Sequence, residues 1–470
     1  MSKPHVIVVG GGLAGLSAAL SCADGGSQVT LLEARPRLGG LTWSFEREGL
    51  SFDNGQHVYL RCCTEYQRFL RRIGSDHLAP LQRQMAVPVV RPGRHASWLR
   101  SDPLPAPVHL ARSLLTYRHL GIIDRLGLGR AALALRRLRL DDPSLDEQTF
   151  GDWLSRHGQS PEAISGLWDL ITLPTVNLRA SRASLALAAK VFQTGLLSDA
   201  RAGDIGWSRV PLARLHGEPA MVALSEAGAD VRLRTKVAAI EAGDGTAGHA
   251  PMTVVADGER IDADAVVLAV PHHIAADLLP PGSIPNPEAL LGLGFSPIVG
   301  VNLVYDRKVM GYEIAAGLGT TAQFVFDRSV ASGLAASPGR GGQCLAVSIS
   351  SADHVLGTRP EDLIELVSRA ICDLFPVARP ATLVDAVVTR ERMATFCGEP
   401  GTQALRHGAR TRYPHLLLAG AWTDTGWPAT MEGAVRSGNT AASLALDSVG
   451  NTRRRTGPRA RLEETEEVVA

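Results

Sequence analysis

An α/β fold organised on a parallel sheet follows from three observations in the sequence. Val6 to Val9 form a short, unbroken apolar run, as expected of a strand buried on both faces. Gly10, Gly12 and Gly15 follow in G-x-G-x-x-G spacing, and Leu13 and Ala14, with Leu16 to Leu20 behind them, begin a helical pattern. Val29 to Leu32 reads as a second strand and ends at Glu33. The chemistry of such a unit is specific. The first glycine permits a tight turn, the second lets a diphosphate approach the backbone, and the third lets helix and strand pack closely. The helix N-terminus presents free N–H groups and the positive end of its dipole to an anion. Glu33 stands near the ~20-residue distance of a carboxylate that grips a ribose hydroxyl. These features predict a Rossmann-like unit holding an adenine dinucleotide. An acid at position 33 suits an unphosphorylated ribose, which leaves NAD and FAD.

Length and composition set the limits. The chain has 470 residues, more than one ordinary domain. Its hydrophobic content of 45% and charged content of 20% are those of a globular protein. A net charge of +1 gives no argument for nucleic acid as a partner. The six cysteines, Cys22, Cys62, Cys63, Cys344, Cys372 and Cys397, form no C-x-x-C pair and read as reduced thiols. The N-terminal apolar run ends in glycines, without the charged leader or cleavage site of a signal peptide. No uncharged span of ~20 apolar residues is present, so no membrane crossing is expected, and the reduced thiols suit a cytoplasmic protein.

Past Glu33 the chain reads Ala34-Arg35-Pro-Arg37-Leu-Gly39-Gly40-Leu41, and further on Asp53-Asn54-Gly55-Gln56-His57. Residues 60 to 205 carry mainly helical patterns. Within them, 107 to 140 combine Leu and Ala at helical spacing with seven arginines and one acid, Asp124. Such a segment either rests on an anionic membrane surface or forms a solvated helical face. Phe150, Trp153, Trp168 and Phe192 read as core or as the lining of an apolar channel. A helix over Met221 to Ala227 leads through Gly228 into a strand reaching Val237, and Ile240 to Ile261 resembles a hairpin turning at Asp257-Gly258. Asp262 to Val270 is a further buried strand, with His272 and His273 in the loop beyond it. No third ligand accompanies these histidines at metal-site spacing, so no metal is expected. Strand patterns at Ile298 to Tyr305, Cys344 to Ile349 and Leu383 to Val388 accompany one helix, Pro360 to Leu374. Leu416 to Gly420 is a last buried strand. A helix beginning near Thr430 and Met431 aims its N–H groups at an anion, and its Glu432 and Arg436 stand i,i+4 as an ion pair. Beyond Gly450 a charged stretch, 451–470, reads as a disordered tail.

The glycine pair behind Glu33 and the D-x-G segment resemble the flavoproteins that include amine oxidases, carotenoid desaturases and protoporphyrinogen oxidases. Three motifs are closer to one branch: Asp53-Asn-Gly-Gln-His57; Trp168 with Asn177 beyond it; and Ala419-Gly-Ala-Trp-Thr with Gly426-Trp-Pro-Ala-Thr-Met-Glu-Gly-Ala-Val-Arg-Ser-Gly438. Together they resemble the bacterial hydroxysqualene dehydroxylases, over nearly the whole chain except the tail. The resemblance implies FAD as cofactor, bound by Gly10, Gly12, Leu13, Ala14, Gly15, Glu33, Ala34, Arg35, Gly39, Gly40, Leu41, Asn54, Gly55, Gln56, Val237, Gly420, Thr430 and Met431. Two positions depart from the pattern: Leu41 stands where relatives have arginine, and Ala421 where many have an acid. The implied fold is a Rossmann-like FAD-binding domain (parallel sheet, β-hairpin insert) from residues 1–60, 206–280 and 410–450. A discontinuous α+β substrate domain would come from 61–205 and 281–409, with substrate in the cleft between.

The implied reaction is reductive loss of the allylic hydroxyl of hydroxysqualene, a C30 isoprenoid, to give squalene and water in hopanoid-type synthesis. Hydroxide is a poor leaving group, so an acid must protonate it; His57 is the first candidate and Asp424 the second. His57 can equally be a structural histidine bonded to a backbone carbonyl. Trp422 and Trp427 shape the cavity, offer π faces to a cation, or simply pack. The alternatives are an FAD-dependent desaturase of a carotenoid or squalene-type isoprenoid, an amine oxidase, and a non-catalytic lipid-binding flavoprotein. A water-insoluble substrate also implies peripheral contact with the inner face of the cell membrane and handover from an upstream prenyl-condensing enzyme.

Overall fold

The computed structural model describes residues 3–243, 251–336 and 341–455. Strand β1 (His5–Val9), helix α1 (Leu13–Asp24) and strand β2 (Gln28–Glu33) lie where the apolar pattern puts them. β1 is the middle strand of a five-stranded parallel sheet, in the order Leu416–Leu418, Ala265–Leu268, β1, β2, Asp230–Leu233. Val8 is in register with Val267 on one side and Leu31 on the other. Its unbroken apolar character has a direct cause, because both faces are covered. Val6 and Val8 enter one core, with α1 and the C-terminal helix Met431–Arg455. Ile7 and Val9 enter another, beneath a three-stranded antiparallel sheet of Val237–Ala242, Met252–Ala256 and Glu259–Ala263. The turn of that sheet has left-handed Asp257 and Gly258, as a tight hairpin requires. Part of the expected hairpin, residues 244–250, lies outside the described residues.

A seven-stranded sheet carries most of the remaining strands, and two two-stranded sheets carry the others. The order in the seven-stranded sheet is Leu383–Thr395, Ser296–Tyr305, Gln343–Ser350, Phe324–Asp327, Ile314–Gly317, Ala86–Val90 and Ser97–Arg100. The Pro360–Leu374 helix has its predicted limits and buries Leu363, Val367 and Ile371 against Val301, Leu303 and Val347 of this sheet.

Four expectations are corrected. Residues 86–90 and 97–100 are strands inside the stretch read as helical; segments of four or five residues are too short to carry a usable period. The strand expected to reach Val237 ends at Leu233. The chain turns at left-handed Arg234, and Val237 opens a strand of the antiparallel sheet. His272 and His273 begin a helix, His272–Leu278, rather than a loop. The C-terminal helix continues to Arg455, past the expected start of the tail at 451, and residues 456–470 lie outside the described residues. Among the described residues no helix is long and apolar enough to cross a membrane, and no group of His, Cys, Asp or Glu could hold a metal ion.

Candidate active site

The glycine turn is built by exclusion. Gly10 has φ +105°, and a Cβ there would lie 2.4 Å from the Ala269 carbonyl oxygen. A Cβ on Gly15 would lie 1.8 Å from the carbonyl oxygen of Gly10. These two glycines hold strand and helix together. Gly12 differs, because a Cβ there would meet only the Gly40 Cα, at 3.9 Å. As N-cap of α1, Gly12 leaves the first-turn N–H groups of Leu13, Ala14 and Gly15 without a side-chain cap. The result is a bare helix N-terminus behind an open glycine, a cradle shaped for a diphosphate.

Glu33 is locked in place. One carboxylate oxygen accepts from Gly11 N at 2.6 Å and the other from Arg35 N at 2.7 Å, across exposed Ala34. Gly39 N donates to Gly11 O at 2.8 Å, which lays the second glycine pair against the first turn. Gly39 and Gly40 both have positive φ, and a Cβ on Gly40 would press within 2.9 Å of the Gly12 Cα. Leu41 follows on the surface, 38% exposed. Arg35 is exposed. The Arg37 guanidinium lies 4.1 Å from the centroid of the Trp43 ring and donates to Gly40 O at 3.1 Å. Val237 stands close behind this group: Arg234 N bonds to Arg35 O at 3.1 Å and Thr235 N to Glu33 O at 2.9 Å just before the strand begins.

The Asp53–His57 segment is anchored by a buried ion pair, Asp53 Oδ2 to Arg328 Nη2 at 2.7 Å. Asp53 also accepts from Ser44 Oγ and Leu212 N, while Arg328 donates to the carbonyls of Ser208 and Val210. Asn54 N bonds to Trp43 O at 3.0 Å. The Asn54 Oδ1 and Trp43 Nε1 atoms are buried with no partner among the described residues. Both residues line a cavity of about 300 Å³ with Phe45 and residues 388–391. Gly55 and Gln56 are half-buried. His57 Nδ1 bonds to Gly55 O at 3.1 Å, and burial lowers its pKa, against smaller opposing contributions from that bond and from Asp53. Nearby His216 is fully buried between Tyr66 Oη, 2.8 Å from Nε2, and Leu212 O, 3.2 Å from Nδ1. Burial, with His57 as a smaller cause, pushes His216 down to about 3.

The C-terminal part of the site is held by residues of the 419–423 and 426–438 motifs together with Arg406, which no motif announced. Gly420, at φ +144°, donates to Ser437 Oγ at 2.8 Å. The buried Arg406 guanidinium donates to the carbonyls of Trp422, Thr423 and Trp427, at 3.2, 2.6 and 2.8 Å, and so shapes the loop before the last helix. Thr430 Oγ1 accepts from Gly433 N and caps that helix, with Met431 as its first residue. Glu432 does pair with Arg436, at 2.6 Å, but its buried carboxylate also accepts from Tyr66 N at 2.8 Å. It therefore satisfies the first turn of helix α2 (Thr64–Arg72) as well. Asp424 sits on an exposed turn, its Oδ1 accepting from Gln403 Nε2 at 2.7 Å and Gly426 N at 3.3 Å. It lines a cavity of about 230 Å³ with Glu65 and Arg436, in surroundings separate from those of His57. Trp422 Nε1 donates to Val270 O and its ring is buried packing. The Trp427 ring already has cationic partners within the protein, Lys190 and Arg436, at 5.2 and 5.1 Å from its centroid. Arg328, Arg406 and His216 were missed by the sequence reading, since each acts through partners more than a hundred residues away or through backbone carbonyls.

A parallel sheet with a bare glycine-lined helix N-terminus and a second glycine pair laid across it defines a dinucleotide-binding protein. Residues 13–446 match the flavin containing amine oxidoreductase family, and the chain belongs to that family. FAD is its cofactor, and the uncapped helix, the open face of Gly12 and the orphaned Asn54 Oδ1 fit such a group. Hydroxysqualene dehydroxylase of Rhodopseudomonas palustris is 31% identical to this chain over 458 residues, covering 95% of this chain and 99% of the relative. Zeta-carotene desaturase of Zea mays is 26% identical over 481 residues, covering 93% and 82%. Among solved structures, cyclohexylamine oxidase from Brevibacterium oxydans superposes with a TM-score of 0.68 at 18% identity, covering 95% of this chain and all of that one. That likeness establishes the fold alone.

Proposed function

We propose that this protein reductively removes the allylic hydroxyl of hydroxysqualene, giving squalene and water. The observation that carries the reading is the end-to-end relationship to hydroxysqualene dehydroxylases, which leaves almost no part of either chain uncovered. Bound FAD, when reduced, supplies the hydride. Residues 1–60, 206–280 and 410–450 would hold it, and 61–205 with 281–409 would hold the isoprenoid. The Leu13, Ala14 and Gly15 amides would take the diphosphate over Gly12, with Gly10 shaping the turn. Glu33, with Ala34 and Arg35, would meet the ribose, and Val237 the adenine. Gly39, Gly40, Leu41, Asn54, Gly55, Gln56, Gly420, Thr430 and Met431 would surround the ribityl chain and ring.

His57 would protonate the departing hydroxyl from Nε2, since its Nδ1 is committed to the Gly55 carbonyl. Burial lowers its pKa and so makes its imidazolium a stronger acid, which suits a poor leaving group. Asp424 is the second donor, from its exposed turn. The C30 substrate would draw the protein to the inner face of the cell membrane and to the prenyl-condensing enzyme that precedes it. The relationship to zeta-carotene desaturase supports a second reading, desaturation of an isoprenoid by the oxidised cofactor.

An anaerobic single turnover separates the two. Chemically reduced holoenzyme mixed with hydroxysqualene should lose its reduced-flavin absorbance in step with squalene formed. Unchanged flavin and intact alcohol would overturn the first reading, and desaturation of squalene or phytoene by the oxidised protein would then establish the second.

A further inference from the structure

We infer that the outer face of the Ile122–Arg136 helix and of the segment before it is a docking surface for an anionic lipid bilayer. The helix has two apolar faces. Leu128, Ala131 and Leu135 point inward and are buried with Tyr117 and Leu120. At 3.6 residues per turn, Ile122, Leu126 and Leu133 form a second stripe on the opposite side. That stripe is in water: Ile122 is 68% exposed, Leu126 66% and Leu133 45%, with Ile123 beside them at 87%. Val108 and Leu115, 52% and 55% exposed, extend the patch into the preceding segment. Contiguous apolar exposure on this scale marks an interaction surface.

The charges around it select the occupant. Arg112, Arg118, Arg130, Arg136 and Arg137 are exposed, and among the described residues none of them forms an ion pair. Between residues 107 and 140 the one acid is Asp124, which is occupied by a hydrogen bond from Ser160 at 2.7 Å. Unpaired arginines flanking exposed isoleucine and leucine suit phosphate headgroups above acyl chains. A second copy of the same surface is disfavoured, since five unpaired arginines would face five.

The test needs no substrate, so it stands apart from the proposed reaction. FAD-loaded full-length protein is sedimented with vesicles of phosphatidylglycerol and phosphatidylcholine in equal parts, and with phosphatidylcholine alone. Binding to the anionic vesicles alone is expected, weakening as salt is raised. I123S/L126S and R130E/R136E should each lower partitioning at least about tenfold while retaining bound FAD. Val384→Ser, at an apolar residue 65% exposed elsewhere, should leave it unchanged. Failure to bind anionic vesicles, or full binding by both double variants, would overturn the inference. Dimerisation without vesicles that I123S/L126S abolishes would also overturn it, in favour of a second copy. Hydroxysqualene turnover in detergent micelles should be the same in the double variants as in the parent. If the parent binds vesicles and does not turn over, the reaction is wrong and the docking surface stands.

Discussion

At the scale of single residues, two glycines of one turn make opposite demands. A methyl on Gly15 would collide with the Gly10 carbonyl, so Gly15→Ala should destabilise the apoprotein by about 1–3 kcal/mol, the usual cost of overpacking. A methyl on Gly12 meets ordinary packing at 3.9 Å. Gly12→Ala should therefore change apoprotein stability by less than about 1 kcal/mol, yet weaken FAD at least about tenfold by filling the space a diphosphate needs. Thermal melts of the two apoproteins and a fluorescence titration with FAD check both halves. His57 gives a prediction of another kind. Burial holds its pKa below the ordinary 6.5, so the imidazolium that the proposed proton donation would require is depleted as pH rises above that lowered value. The single-turnover rate should fall toward tenfold per pH unit on that alkaline limb. His57→Ala should keep FAD, lose about 10²–10⁴ in rate and lose the limb. A flat profile that survives the substitution would transfer the role to Asp424.

At the scale of elements, a side chain without a motif holds the C-terminal loop. Arg406 serves three backbone carbonyls of residues 422–427, and burial lowers its pKa to about 10 without removing its charge at neutral pH. Arg406→Met fits the space and leaves those acceptors unpaired, at about 1–3 kcal/mol for each one that stays buried. Backbone amides of 420–430 should lose protection in hydrogen exchange, and FAD affinity should drop, while the distant Pro360–Leu374 helix stays protected. Equal loss of protection in both regions would mean that Arg406 stabilises the whole fold. The same scale shows what the sequence could reveal. β1, α1 and β2 were legible because strand periodicity, glycine spacing and a helical pattern agree over thirty residues. The Pro360–Leu374 helix was legible from its proline start and its repeat of buried Leu363, Val367 and Ile371. The strands at 86–90 and 97–100 were not, because they exist through pairing with each other and with residues 316–317. The site divides in the same way. Its glycines carry their reason locally, whereas Arg328 becomes functional only when the chain returns beside Asp53, 275 positions away.

Across the whole molecule, the buried histidines connect stability to the chemistry. His109, His119, His216 and His272 are all buried, and for each of them burial is the main cause of a lowered pKa; His272 falls to about 4 and His216 to about 3. Unfolded, each would titrate near 6.5, so between its folded and unfolded values the unfolded chain binds more protons. Stability is therefore complete above about pH 6.5 and is lost as pH falls, with each fully neutral histidine contributing up to about 1.4 kcal/mol per pH unit. Urea midpoints of the apoprotein should decline steadily from pH 7 to pH 5, and His216→Gln should flatten part of that slope. A midpoint unchanged over this range would show that these imidazoles are protonated in the folded state. Proton donation by His57, in the role proposed for it, would pull the other way, because its imidazolium is most abundant where the fold is weakest. FAD binds the native state and offsets the loss in proportion to its free concentration. Raising FAD should consequently shift the acid limit of activity to lower pH while leaving the alkaline limb in place, since the first is set by unfolding and the second by one proton on His57.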